Sequence, residues 1–273
     1  MKNIIVVKIG GSTFGKGDTT LEDIVALQKK KNLLVVVHGG GNTLTEWLKR
    51  QGIETKFVNG ERVTDIKSLA VATAVLAGLV NKEIAAAINL FGGKAVGISG
   101  VDGSIVESAM KSEELGYVGS VDKVNTGLLE TLLKAGFVPV ISPISLFSVD
   151  RAGEEPGIIN VNGDPIAGEI AIALKAKKLI YLTDVDGIKD KFGKTIPELS
   201  EAVAETLISS GAIAGGMIPK VDACLDAFNV GVIARIIDGR MPHALLNEIE
   251  KGEGGTTIVS NPPNLKLERH RDK

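Results

Sequence analysis

The chain is poor in the residues that would commit it to several common protein classes. Its 273 residues include one cysteine, Cys224, so no internal disulfide framework can form and a reducing, cytoplasmic setting is expected. Histidine is scarce as well, with three in all, and none stands in a pattern that marks a general base. Charge of one sign is also missing. Thirty-one Lys and Arg face thirty-three Asp and Glu, a formal charge of -2, without the basic excess of a nucleic-acid surface. The apolar opening Ile4 to Val7 is too short for a signal segment. No other run is expected to reach the roughly 20 apolar residues of a membrane span. We therefore expect a soluble, unprocessed protein with no nucleic-acid or membrane partner.

What is present is apolar residue and glycine. Hydrophobic residues make up 44% of the chain, enough for one large domain or two lobes. Most of the 33 glycines stand where apolar strands end. Short β-branched runs alternate with longer helical patterns. Strands are expected at Ile4 to Val7, Leu33 to Val37, Ala95 to Ile98, Val138 to Ile141, Leu179 to Leu182, Ile233 to Ile237 and Thr256 to Val259. Helices are expected over Leu21 to Lys30 (capped by Asp18 or Thr19), Thr43 to Arg50, Ser68 to Leu90, Thr126 to Ala135, Ala202 to Ser209 and Val221 to Asn229. Phe57 to Val63 reads as a hairpin about Asn59-Gly60, and a second hairpin-like stretch precedes Thr126. The alternation implies a three-layer α/β fold, with a mostly parallel central sheet and helices on both faces. Two lobes, residues 1–176 and 177–273, would share that sheet. Ligands in such folds bind at the carboxyl ends of the strands.

The sharpest local feature is Lys8-Ile9-Gly10-Gly11-Ser12 after the first strand, echoed by His38-Gly39-Gly40-Gly41-Asn42 after the second. Consecutive glycines let backbone N–H groups approach phosphate oxygens with no Cβ in the way. A lysine inside a buried strand is costly unless its ammonium meets an anion. Gly10, Gly15 and Lys16 imitate a phosphate loop, but Gly17 stands where the Mg²⁺-binding hydroxyl belongs; we set that reading aside as the competitor. His38 is expected to fix its loop, Cys224 to lie in the core, and Trp47 to pack on the sheet or the hairpin. Asn160 and Asn162 fall on one face of an extended segment, with Asp164 at the entrance of the helix that follows. Arg62 is suited to fork a carboxylate. Gly215 to Lys220 reads as a mobile loop that delivers Lys220 to a helix N-terminus. Two lysines, inward-pointing amides and no base suit phosphoryl transfer to a carboxylate. That acceptor is already ionised at neutral pH, so charge is the main obstacle.

With these motifs, and with Arg62-Val63-Thr64-Asp65, Gly78 to Lys82, Leu182 to Val185, Gly215 to Lys220 and Ile236 to His243, the chain resembles the amino acid kinase family over nearly its whole length. Within that family it is most similar to the enzymes that phosphorylate N-acetyl-L-glutamate. The resemblance implies ATP-dependent phosphorylation of the side-chain carboxylate of N-acetyl-L-glutamate, an early step of arginine synthesis. Mg²⁺ would be held chiefly by ATP oxygens and water, with no protein metal site. It implies that Lys8 and Lys220 stabilise the transferring group, that the Gly11 and Gly41 amides bind its oxygens, and that Asp164 holds the lysines. Gly40, Gly41, Arg62 and Asn160, with Asn162 beside it, would bind the acceptor in the first lobe. Thr183, Asp184, Val185, Asp186 and Gly187, and Ala212, Ile213, Ala214 and Gly215, would border ATP in the second. A homodimer through the Ser68 to Leu90 helix is implied as well. The chain departs from the family pattern at Gly163 and Pro165, where Ala and Thr are usual, and at Glu61. Two alternatives stay open: a kinase for carrier-protein-bound aminoadipate or glutamate, and a catalytically silent nucleotide-binding regulator.

Overall fold

The computed structural model describes residues 3–10, 18–58, 60–148 and 157–261. In chain order these form β1 (Ile4–Ile9), α1 (Thr20–Lys29), β2 (Leu33–His38), α2 (Gly41–Arg50) and the hairpin β3 (Phe57–Val58) and β4 (Glu61–Arg62). Helix α3 (Ile66–Ala72) then runs through a π-helical stretch (Thr73–Val80) into α4 (Asn81–Leu90). Next come β5 (Ala95–Ser99), β6 (Val106–Met110), β7 (Val118–Val124), α5 (Gly127–Lys134), β8 (Val138–Ser142), β9 (Ile144–Phe147) and β10 (Ile158–Val161). The last elements are α6 (Gly163–Ala173), β11 (Lys178–Thr183), β12 (Glu198–Ser200), α7 (Glu201–Ser209), α8 (Met217–Asn229), β13 (Ile233–Asp238), α9 (Ala244–Lys251) and β14 (Thr256–Val259).

Eight strands make one sheet in the order β12-β14-β13-β11-β1-β2-β8-β5. All neighbours are parallel except β13 and β14. The expected α/β layering is therefore present, with buried hydrophobic runs in the central strands. Alternation in β1 serves two cores. Ile4 and Val6 join the side covered by α6 and α8, while Ile5, Val7 and Ile9 join the side covered by α1, α2 and the long helix.

Several expectations are corrected. The second hairpin, β6 and β7, closes with β9 and β10 into a small four-stranded barrel beside the sheet. That closure joins segments far apart in sequence, which local patterning does not register. Helix α9 and strand β12 were not expected. Trp47 packs against the core shared by the sheet and the long helix, and lines a hollow with Val71, Val75 and Leu79 of that helix. Ile66–Leu90 is long and apolar enough to cross a membrane by length and composition alone, contrary to expectation. In this fold part of it is core: Leu69, Ala72, Val75, Leu76, Val80, Ile84 and Ile88 are buried.

Candidate active site

The same alternation that buries Val6 puts Lys8 on the α6–α8 face of the sheet. Asp164, second residue of α6, and Lys220, fourth residue of α8, reach it from the two helices packed there. Lys8 Nζ lies 2.6 Å from Asp164 Oδ1, and Lys220 Nζ lies 2.8 Å from Asp164 Oδ2. All three residues are buried. Burial pushes the Asp164 carboxyl up, but Lys8 and Lys220 outweigh it and hold the group below its usual range. Burial pulls the Lys8 ammonium down, and Lys220 adds to that, against the opposing pull of Asp164. Two ammoniums on one carboxylate leave one positive charge uncompensated in a low-dielectric place. An anion is the partner that lowers this cost.

Of the three, Lys8 lines a cavity of about 260 Å³ at the carboxyl end of the sheet. Lys8, Gly39, Gly40, Gly41, Arg62, Asn160, Asn162 and Gly163 bring polar groups to its wall, and Leu44, Phe57, Leu76, Val118 and Pro143 supply apolar ones. Two helix N-termini end there. Helix α2 begins at Gly41, two residues before the expected start, with Gly40 as its N-cap. Gly40 has φ +141°, a backbone conformation that favours glycine, and a Cβ on it would stand 2.7 Å from Leu76 Cδ2, whose side chain would have to shift. Helix α6 begins at Gly163. The positive ends of both helices favour an anion in the cavity.

Arg62 sits on the second strand of the hairpin, stacked 4.8 Å from the centre of the Phe57 ring. Its Nη2 donates to Gly41 O at 3.2 Å and Thr45 Oγ1 at 2.7 Å. Its Nη1 is buried without a hydrogen-bond partner. A buried guanidinium nitrogen left unpaired at a cavity wall is a ready donor for a carboxylate. The tip of the hairpin reaches the segment before α8: a Cβ on Gly60 would lie 3.8 Å from Gly215. Asn59 and Gly11 fall outside the described residues, as does the imitation phosphate-loop glycine-lysine pair, Gly15 and Lys16.

Three site expectations change in detail. The helix entrance is capped by Asn162, whose Oδ1 accepts from Asp164 N at 3.0 Å. Asp164 is thereby released for the lysines. Lys220 stands at a helix N-terminus, as expected, but the helix starts at Met217, four residues before the expected Val221. The lysine lies inside the first turn of α8, where Pro219 is tolerated because its missing N–H has no intrahelical acceptor. Its partner in this structure is Asp164. Ile213, expected beside a nucleotide, turns its side chain into the core, so only its backbone could border a ligand.

The candidates Thr183 to Gly187 stand at the carboxyl end of β11, the strand beside β1, with Leu182 paired to Ile9. Gly239 N donates to Thr183 O at 2.8 Å, which ties this corner to the end of β13. Asp186 accepts from Thr195 Oγ1 at 2.7 Å and pairs with Lys189 at 3.0 Å. The Thr195 hydrogen bond, with Lys189, draws its carboxyl down to about 2. A Cβ on Gly187, φ +136°, would meet Thr256 Oγ1 at 2.7 Å. Ala212, Ala214 and Gly215 are exposed.

His38 anchors its loop, as expected. Nδ1 contacts Gly39 O at 2.7 Å, and Nε2 lies 3.1 Å from the Asn81 amide nitrogen at the start of α4. Burial pulls its imidazole down to about 4, so it is neutral at pH 7, with both ring nitrogens taken up by Gly39 and Asn81. Cys224 is fully buried, and that burial pushes its thiol up. Tyr181 was missed by sequence reasoning, although it touches two members of the charged cluster. Its only signal was a tyrosine in the middle of an otherwise aliphatic strand.

The model of the amino acid kinase family matches residues 3–238. The chain is 49% identical to an acetylglutamate kinase from Dehalococcoides mccartyi, over 94% of each chain. It is 44% identical to an acetylglutamate kinase from Geobacter metallireducens, over 93% of this chain and 91% of that one. Among solved structures, N-acetylglutamate synthase from Neisseria gonorrhoeae, complexed with coenzyme A and N-acetyl-glutamate, superposes with a TM-score of 0.80 at 27% identity. That match covers 95% of this chain and 60% of the other. A family model over most of the chain and relatives of this identity and coverage agree, and the chain belongs to the amino acid kinase family.

Proposed function

We propose that the chain is an acetylglutamate kinase, which moves the γ-phosphoryl group of ATP to the side-chain carboxylate of N-acetyl-L-glutamate in arginine synthesis. The observation that carries this reading is the buried Lys8–Asp164–Lys220 cluster with its uncompensated positive charge, which reaches through Lys8 a cavity also lined by Arg62 with its unpaired Nη1. The acceptor has two carboxylates and an acetyl group. Arg62 and Asn160 would take the α-carboxylate end, the apolar wall the acetyl methyl, and the side-chain carboxylate would point at Lys8. Similarity to relatives of this name, at 49% and 44% identity over more than nine-tenths of each chain, supports the same acceptor.

In the reaction a carboxylate oxygen forms a bond to the γ-phosphorus as the bond from that phosphorus to the β,γ-bridging oxygen breaks. ADP leaves and an acyl phosphate remains. No proton is withdrawn, which suits a site where the neutral, buried His38 is no base. Lys8, Lys220 and the Gly41 amide would balance the charge that spreads over the equatorial oxygens. Among the described residues no three His, Cys, Asp or Glu side chains cluster as a metal site, and both Asp164 oxygens face lysines. Mg²⁺ would then be carried by nucleotide oxygens and water, where it would offset phosphate charge.

We assign the acceptor to residues 1–176 and the nucleotide to residues 177–273, because the cavity wall is drawn from residues up to Gly163. We also place the enzyme in the cytoplasm as a homodimer. A coupled ATP assay with N-acetylglutamate, carrier-bound aminoadipate or glutamate, and aspartate tests the acceptor, with hydroxylamine trapping the acyl phosphate. Turnover with free N-acetylglutamate is expected. Turnover only with a carrier-bound acid would overturn the assignment.

A further inference from the structure

Tyr181 is fully buried at the centre of the sheet, in register opposite Lys8 across the β1–β11 pair. It belongs to the same core as Val6 and Leu179, so its side chain leaves the sheet on the face where Lys8, Asp164 and Lys220 meet. Its hydroxyl donates to the Asp164 main-chain oxygen at 2.7 Å. Lys220 Nζ stands 5.2 Å from its ring centre. One side chain therefore contacts the backbone that carries Asp164 and the ammonium that Asp164 holds.

We propose that Tyr181 is a positioning residue for phosphoryl transfer. Lysine is a compact charge on a flexible four-carbon stem, and Asp164 restrains Lys220 through a single oxygen. The aromatic face gives the ammonium a second, directional seat. That seat fixes the charge before substrates arrive and stays in place when Lys220 turns from Asp164 towards a phosphoryl oxygen. The hydroxyl bond fixes the first turn of α6 relative to β11, and with it the height of the Asp164 carboxylate between the two lysines. Burial also pushes the Tyr181 phenol well up, so it remains a neutral donor. A strand of this kind needs only an aliphatic residue here for packing. The hydroxyl and the ring face are what the site gains.

The proposal rests on the kinase reading above, and the test separates the two. Wild-type turnover with N-acetylglutamate is measured first, and its absence counts against the acceptor, not against Tyr181. With whichever acceptor of the panel turns over, Tyr181→Phe keeps ring and packing but loses the hydroxyl, and kcat should fall by about tenfold. Tyr181→Leu loses both, and kcat should fall by up to about 10²-fold, the scale expected for misplacing a catalytic group by about 1 Å. KM for ATP and for the acceptor should stay within about twofold in both variants. Ile180→Ala serves as the control: it weakens the same strand on the opposite core, so it should lower Tm and leave kcat near wild type. If Tyr181→Leu does not fold, Tyr181→Phe alone decides. Tyr181→Phe at wild-type kcat, or losses in which KM rises as much as kcat falls, would overturn the positioning role. So would an Ile180→Ala variant that loses as much kcat as Tyr181→Leu.

Discussion

Lys8, Asp164 and Lys220 form a charge set that is unfavourable alone and useful with an anion in reach. Lys8→Ala and Lys220→Ala should each lower kcat by something like 10²-fold or more while KM changes little, because the lost contact is strongest in the transition state. Steady-state kinetics check this, and a change confined to KM would mean that the lysines only bind. Arg62 is different in kind. Arg62→Lys should raise KM for the acceptor and leave KM for ATP nearly unchanged, since an ammonium cannot supply both the Thr45 and the free Nη1 directions of the guanidinium fork. Equal effects on the two substrates would count against an acceptor role. His38 carries a pH prediction. Its folded pKa of about 4 lies below the ordinary value of 6.5, so between these two values the unfolded chain takes up a proton that the folded chain refuses. Stability is then full above about pH 6.5 and is lost as pH falls towards 4, by on the order of 3 kcal/mol. Urea unfolding at pH 7 and pH 4.5 should show a shallower acid loss for His38→Gln than for wild type.

At the scale of elements, the site depends on where helices begin. Gly40 ends the β2 turn in a conformation that only glycine accepts easily, and a methyl group there would displace the end of the Leu76 side chain. Gly40→Ala should therefore cost about 1–3 kcal/mol and move the first N–H groups of α2 away from the cavity. A lower Tm together with a raised acceptor KM is the expected pair of results; a lower Tm alone would mean that the α2 amides do not bind. The glycine turn, the lysine in the strand and the Asn-x-Asn-Gly-Asp run were legible because each breaks a local rule that packing alone would keep. Their division of labour was not legible. Asn162 or Asp164 could each cap α6, and only the packed structure shows the Asn162 amide as the cap and the Asp164 carboxylate engaged by two lysines from other elements. Tyr181 was silent for a similar reason: a buried aromatic in a strand is ordinary until the helices that cover it are known.

Across the whole molecule, the long helix Ile66–Leu90 poses the largest remaining question of surface. Only 44% of its most apolar window is buried, and Trp47, Val71, Ala74 and Leu79 border an apolar hollow of about 400 Å³ on its outer side. Contiguous exposed apolar surface of this kind is a site of association, and the proposed homodimer would cover it. Leu79→Glu should yield a monomer by light scattering, whereas wild type should have twice the chain mass; a monomeric wild type would refute the dimer. The sequence by itself determined the layered α/β architecture, because strand runs and helix periods are local signals that span a few residues each. It also pointed to the second glycine turn, which the structure places on the cavity wall, because glycines at a strand end allow a close backbone approach. The tertiary structure decided the four-stranded barrel, the two-lysine grip on Asp164, the open Arg62 nitrogen and the seat of Lys220 on Tyr181. Each of these joins residues tens to hundreds of positions apart. Their energies depend on burial and on distances of a few ångströms, which exist only after the chain has packed.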